Sequence, residues 1–214
     1  FVSVDGTSVK GKNATEVANM LKSDSVKTST IVVKRNDKEL TFKVTKENIT
    51  LFSVSSEMLD NNGKNVGYLS VSIFGQKTYS QFKDALTKLE KQDMDSLIID
   101  LRGNTGGYLS TVTNMLEEFI DKGNVIYQIQ SSSGVKQYKT VKASEKKYKI
   151  VVLIDGGSAS ASEIMSAAMK EVYGATLVGQ TTYGKGTVQT TKNLSNGSMI
   201  KYTIEKWLTP SGKN

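Results

Sequence analysis

The chain has 214 residues, 37% of them apolar and 23% charged, with 28 basic against 21 acidic side chains and a net charge of +7. It contains no histidine and no cysteine, so it cannot itself supply a Ser-His-Asp triad, a thiol nucleophile, a disulfide or a zinc-finger-type metal site. The apolar content supports a globular core, and no run approaches the ~18 apolar residues of a membrane span.

Residues 1–48 read as one small unit. Val2 and Val4 form a strand that runs into the turn Asp5-Gly6. A helix over 13–21 follows, because Ala14, Val17, Ala18 and Leu21 share one helical face. Strands at 30–34 and 40–44 are joined by the polar connection Arg35-Asn36-Asp37-Lys38. The stretch 49–65 ends in the loop signal Asp60-Asn61-Asn62-Gly63-Lys64-Asn65. The boundary between the two units is placed near residue 48.

Beyond it, strands alternate with helices. A strand at 66–74 sets Tyr68, Ser70 and Ser72 against Leu69, Val71 and Ile73. A helix over 78–91 carries Tyr79, Phe82, Leu86 and Leu89 on one face. The run Leu97-Ile98-Ile99 is apolar without alternation, as expected of a strand buried on both sides. A helix over 109–120 aligns Leu109, Val112, Leu116 and Phe119. An all-apolar strand at 150–154 then leads through a glycine-rich turn into a helix over 162–172, and strands follow at 176–178, 187–190 and 198–205. This order predicts an α/β core. Both ends, Phe1 in a strand and Pro210-Ser211-Gly212-Lys213-Asn214 in turn chemistry, read as cuts from a longer chain.

Only Arg35 and Arg102 are arginines; the lysines are spread, with one cluster at Lys146, Lys147 and Lys149. Base and phosphate readout favours arginine, so the excess charge reads as a solvated surface and not as a nucleic-acid site.

Three segments can carry chemistry. In Asp155-Gly156-Gly157-Ser158-Ala159-Ser160-Ala161-Ser162-Glu163-Ile164 a buried strand gives way to a helix, whose first N–H groups can hold developing negative charge. A serine there can attack a carbonyl, although Ser160-x-x-Glu163 also fits an ordinary capping box. In Tyr183-Gly184-Lys185-Gly186-Thr187-Val188-Gln189 a lysine sits between glycines. A lysine stripped of water loses its proton more readily, as a general base must. In an extended segment Lys185, Thr187 and Gln189 share a face, so Gln189 can hydrogen-bond the amine. The same segment begins like a phosphate-binding loop, but Gly186 stands where Ser or Thr should bind magnesium, and a strand follows instead of a helix. Finally, Asp100-Leu101-Arg102-Gly103-Asn104-Thr105-Gly106-Gly107 can turn backbone N–H groups outward as an anion nest. Each segment follows a strand, where α/β folds gather their sites. With histidine absent, serine plus lysine is the familiar nucleophile–base pair that remains.

Together these motifs, in this order and spacing, resemble the carboxy-terminal processing (tail-specific) proteases. Val4-Asp5-Gly6 and the strands around Val33-Lys34-Arg35 are similar to the second half of that family's PDZ domain. The resemblance implies a crotonase/Clp-protease-like α/β core over 49–214, truncated at its C-terminal end, preceded by a partial, β-rich PDZ domain with one helix over 1–48. It implies a serine endopeptidase that recognises proteins by their C-terminal tails and works through a Ser-Lys dyad and an acyl-enzyme. Ser160 matches the nucleophile, Lys185 the base and Gln189 the residue that positions it; the backbone N–H groups of Ala161 and Gly106 match the oxyanion hole. No metal or organic cofactor is implied. The partner is a protein or peptide substrate, with room for a homodimer. The parent chain is expected to be bacterial and extracytoplasmic, membrane-tethered or at the cell surface. The PDZ helix is expected to form one wall of a peptide groove. The alternative is a peptide-binding or scaffolding fragment that does not turn over.

Overall fold

A computed structural model of the chain describes residues 1–22, 27–47, 49–146 and 148–213. Lys147 of the basic cluster, Asn48 at the expected boundary and the terminal Asn214 lie outside the described residues. The described chain divides into two units, Phe1–Thr50 and Leu51–Asn214.

In the first unit, β1 (Ser3–Val4) and β2 (Thr7–Ser8) form a small hairpin over Asp5-Gly6, both at positive φ. Helix α1 (Ala14–Leu21) starts at a capping box in which Asn13 Oδ1 accepts the Glu16 N–H and the Glu16 carboxylate accepts the Asn13 N–H. Strands β3 (Thr28–Arg35) and β4 (Lys38–Thr45) turn over Asn36-Asp37, again both at positive φ. The antiparallel sheet runs β2-β1-β3-β4. Its buried apolar side chains among the described residues are Val4 and Val9, while Phe42 and Val44 stay more than 40% exposed.

The second unit opens with β5 (Val54–Asn61) and β6 (Lys64–Val71), a hairpin whose two-residue turn is Asn62-Gly63. Both turn residues have positive φ, the geometry that makes Asn-Gly a hairpin signal. The loop expected at 60–65 is therefore the tip of a hairpin, and β5 went unforeseen. Helix α2 (Thr78–Glu90), β7 (Ser96–Asp100), α3 (Leu109–Leu116) and the hairpin β8 (Val125–Ser131) with β9 (Gly134–Lys139) follow. Then come β10 (Lys149–Ile154), α4 (Ala161–Ala168), a π-helical turn Met169–Tyr173 ended by left-handed Gly174, β11 (Thr176–Gly179), β12 (Thr187–Asn193) and β13 (Met199–Leu208).

The described strands of the second unit split into two sheets. One has the order β11-β10-β7-β6-β5, parallel except for the antiparallel edge strand β5. The other, β12-β13-β8-β9, is antiparallel. The helices form a row, α2 beside α3 and α3 beside α4. They cover the sheet face that presents Leu69, Val71, Leu97, Ile99, Ile150 and Val152, all at most 3% exposed. Phe82, Leu86, Val112, Met115, Leu116 and Met165 fill the layer between.

One expectation changes here. Strand β7 was expected to be buried on both sides, yet Ile98 is only half-buried, as are Val151 and Leu153 of the neighbouring all-apolar β10, which point with it to the opposite face. All-apolar sequence signals a strand that avoids water, but it does not say that both faces are covered within these residues.

Candidate active site

Strands β11, β10 and β7 are neighbours and run parallel, so the segments leaving their C-terminal ends meet in space. Those segments are the three singled out in the sequence. Hydrogen bonds between them replace the ladder where the strands end.

Asp155 Oδ1 accepts the N–H groups of Gly103 and Gly157, both at 2.9 Å. The Gly103 bond leads in holding its carboxyl below the usual carboxylate range. Asn104, with no exposed surface, donates through Nδ2 to Val71 O at 2.8 Å and accepts the Gly106 N–H on Oδ1 at 2.9 Å. Its carbonyl accepts the Ala159 N–H at 3.0 Å and the Ser162 hydroxyl at 2.8 Å. Phe74 and Gly107 form a bridge, in which Phe74 N–H donates to Gly106 O at 3.0 Å and Tyr108 N–H to Phe74 O at 2.7 Å.

This network separates the three motif serines. Ser158 and Ser162 are fully buried, and their hydroxyls donate to Leu101 O and Asn104 O. Ser160 is half-buried and lines a cavity of about 240 Å³. Its backbone, at φ 57 and ψ −113, lies in a region that costs a non-glycine residue ~1–3 kcal/mol and clusters at functional sites. The next residue, Ala161, opens α4, where the first N–H groups have no intrahelical acceptor. A Cβ built on Gly106 would lie 3.0 Å from Ser160 Cβ and 3.1 Å from Ala161 N, so the glycine loop abuts the start of the helix.

The lysine segment reaches the same cavity. Its lining includes Gly107, Ser160, Ala161, Lys185 and Gln189, with apolar walls of Leu109, Ile129, Ile164, Val188 and Trp207. Trp207 fastens the turn, its indole N–H donating to Lys185 O and its backbone N–H to Gly186 O at 3.1 Å. Tyr183 N–H donates to Ser158 O at 3.0 Å, tying the lysine turn to the serine turn.

Two expectations differ from what is seen. Lys185 is exposed, not shielded, and among the described residues no hydrogen bond joins its amine to Ser160 or Gln189. The turn is held through its backbone, which leaves the side chain at the water-facing rim. Strand β12 begins only at Thr187, and the ladder slips between Val188 and Gln189. The start at Thr187 fits the strand expected at 187–190, but one extended run from 185 to 189, the condition for Lys185 and Gln189 to share a face, is not formed; the Gln189 amide reaches toward Thr203 Oγ1 at 3.5 Å, the outer limit of a hydrogen bond.

Two residues at the site were given no role in advance, Asn104 and Trp207. Asn104 lay inside a glycine-rich motif where its burial had no sequence signal; Trp207 acts from a strand 22 residues away. A larger cavity, about 650 Å³, opens around Phe119, Lys146, Tyr148 and Tyr173 at the opposite ends of β10 and β11, and none of the expected site residues lines it.

Asp100 ends β7. Burial alone pushes its carboxyl up, but hydrogen bonds from Arg102 and from the Tyr68 hydroxyl outweigh that, and the net direction is down. A carboxyl depressed in the folded state stabilises the fold above its unfolded pKa, and that contribution is lost as pH falls through the folded value. Denaturant unfolding followed from pH 7 toward pH 2 is expected to show a smaller acid-induced loss in Asp100→Asn than in the unsubstituted protein. An unchanged slope would remove Asp100 from the acid-sensitive groups.

Residues 65–214 match the model of peptidase family S41. The carboxy-terminal processing protease CtpB of Bacillus subtilis is 37% identical over 99% of this chain and 45% of its own length. CtpA of the same organism is 37% identical over 100% of this chain and 46% of its own length. The chain thus spans less than half of these relatives. Among solved structures, the photosystem II D1 C-terminal processing protease superposes over the whole chain with a TM-score of 0.71 at 29% identity, covering 59% of that protein.

Proposed function

The chain belongs to peptidase family S41, and we propose that it carries the catalytic core of a serine endopeptidase that processes proteins presented by their C-terminal tails. One observation bears most of this reading. Of the three serines in the motif, Ser160 alone leaves its hydroxyl uncommitted to a backbone carbonyl and lines the cavity that Lys185 also lines.

In the proposed mechanism the uncharged Lys185 amine takes the Ser160 hydroxyl proton as Oγ attacks the scissile carbonyl carbon. The tetrahedral oxyanion is held by the N–H groups of Ala161 and Gly106. Gly106 donates to Asn104 Oδ1 in this structure, so it must exchange a neutral acceptor for a charged one, and the charged acceptor is the stronger. The intermediate collapses, the C–N bond breaks, and Lys185 gives the proton to the leaving amine. Water then attacks the Ser160 ester by the same route in reverse. Gln189 directs the amine. A bound peptide covers the cavity; burial favours the uncharged form of an amine, so the substrate itself prepares the base. Hydrogen bonds of this kind are commonly long before substrate arrives. The apolar walls suit an apolar side chain at the acylated residue.

The proposal extends to the rest of the parent protein. Residues 1–48 would be the later part of a PDZ domain, a reading supported by the small number of apolar side chains the first unit buries, with α1 as one wall of a tail-binding groove. Residues 49–214 would be the crotonase/Clp-like protease core. The parent would act outside the cytoplasm, tethered to a membrane or at the cell surface, with room for a homodimer.

The exposed Lys185 favours a second reading, peptide binding without turnover. Incubation of the whole protein with a serine-reactive fluorophosphonate and with an unstructured protein substrate separates the two. Labelling and cleavage that both vanish in Ser160→Ala support the protease; tail binding without either supports the scaffold.

A further inference from the structure

Glu163 sits one turn into α4 and is 6% exposed. Its carboxylate accepts four hydrogen bonds. Oε2 takes the N–H of Ser160 at 2.7 Å and of Lys185 at 3.0 Å. Oε1 takes the Thr182 hydroxyl at 2.9 Å and the Gly184 N–H at 2.6 Å. That fills the acceptor capacity of a carboxylate. No salt bridge involves Glu163 among the described residues; the buried charge is compensated by these donors and by the N-terminus of α4.

Helix capping accounts for only one of the four bonds, the one to Ser160. The other three bind a turn that belongs to a different strand connection, 22 residues along the chain at Lys185. A single oxygen, Oε2, holds the backbones of the two residues assigned above as nucleophile and base. We propose that Glu163 is a positioning residue that fixes the origin of the Lys185 side chain relative to Ser160. This role rests on the dyad reading. The lysine stem is flexible and water-facing at its tip, so the distance its amine must span is set at the Cα, and Glu163 sets it.

The acid is required for a definite reason. A glutamine at 163 has one acceptor oxygen and one amino group. It can turn the oxygen to Ser160 and Lys185 and donate to Thr182 Oγ1, but then its amino group meets the Gly184 N–H, donor against donor. Alanine loses all four bonds.

The test uses the whole protein with Glu163→Gln, Glu163→Ala and Ser160→Ala, measuring kcat and KM on a fluorogenic peptide well below each variant's unfolding temperature. Rates are corrected for the folded fraction by circular dichroism. Misplacing a reacting group by ~1 Å costs about 100-fold, which is the fall in kcat expected for Glu163→Ala. Loss of one hydrogen bond to a charged group gives roughly a tenfold fall in Glu163→Gln. KM is expected to stay within about threefold in both, since the groups lost do not line the substrate cavity and act on the reacting geometry. A helix cap alone predicts a lower unfolding temperature with kcat unchanged. Should kcat per folded molecule stay within threefold of the unsubstituted protein while Ser160→Ala is inactive, the positioning role is overturned and the dyad stands. If Ser160→Ala remains active, the dyad reading itself fails. Where Glu163→Ala does not fold, Glu163→Gln decides by the same threefold threshold.

Discussion

Ser160→Ala in the whole protein is expected to lower kcat for peptide cleavage on the order of a million-fold, the scale seen when a serine protease of another fold loses its nucleophile. Lys185→Ala is expected to match it, and the double substitution to be no worse than either alone. The reason is that in the proposed mechanism the two groups perform one act. Without the amine the hydroxyl keeps its proton, and without the hydroxyl the amine has nothing to activate. What survives is rate enhancement from binding and from the N–H groups at the start of α4. Single-turnover kinetics on the three variants checks this. Losses that multiply in the double variant would mean that Ser160 and Lys185 act separately, and full activity in either single variant would dismiss the dyad.

Gly107→Ala is expected to cost about 2–6 kcal/mol of stability and to abolish activity in the folded remainder. Gly107 has φ 146, and a Cβ there would stand 2.3 Å from Phe74 O, a backbone atom that accepts the Tyr108 N–H. Overpacking costs ~1–3 kcal/mol, and backbone strain adds a similar amount. Relief requires breaking the Phe74–Gly107 bridge, which seats the glycine loop against Ser160 and Ala161. Gly103→Ala is the control. Gly103 also has positive φ, 68, but no atom lies within 4 Å of its built Cβ, so only the conformational cost of ~1–2 kcal/mol remains. Urea unfolding of both variants reads the difference. Equal losses would show that the contact with Phe74 is not what demands glycine at 107.

Much of this arrangement was legible in the amino-acid order. Helices α2 and α3 declared themselves through Phe82, Leu86 and Leu89 and through Val112 and Leu116, because a single buried stripe repeats with the helical period. The hairpin of β8 and β9 did not, since most of β9 is exposed and carries no apolar alternation. The separation of β12 and β13 from the parallel sheet also went unseen, because partner choice is a tertiary matter. At the site, the motifs marked the segments that the fold brings together, and the family resemblance chose Ser160 among its neighbours. What set Ser160 apart physically, the commitment of Ser158 and Ser162 to Leu101 O and Asn104 O, depends on loops more than 50 residues apart. Glu163 was legible only as a cap for the same reason. Its bonds to Gly184 and Lys185 exist because β10 and β11 are adjacent.

The unusual backbone angles at Ser160 also bear on how tightly the native state is held. Glycine tolerates positive φ far more readily than serine, and at a helix start the exchange forfeits only a few tenths of a kcal/mol of capping. A glycine in that place therefore relaxes a spring that the serine keeps wound. The Ser160→Gly protein, inert under the proposed mechanism, is expected to melt no earlier than the native one, so the scaffold gains no stability from the side chain proposed as nucleophile.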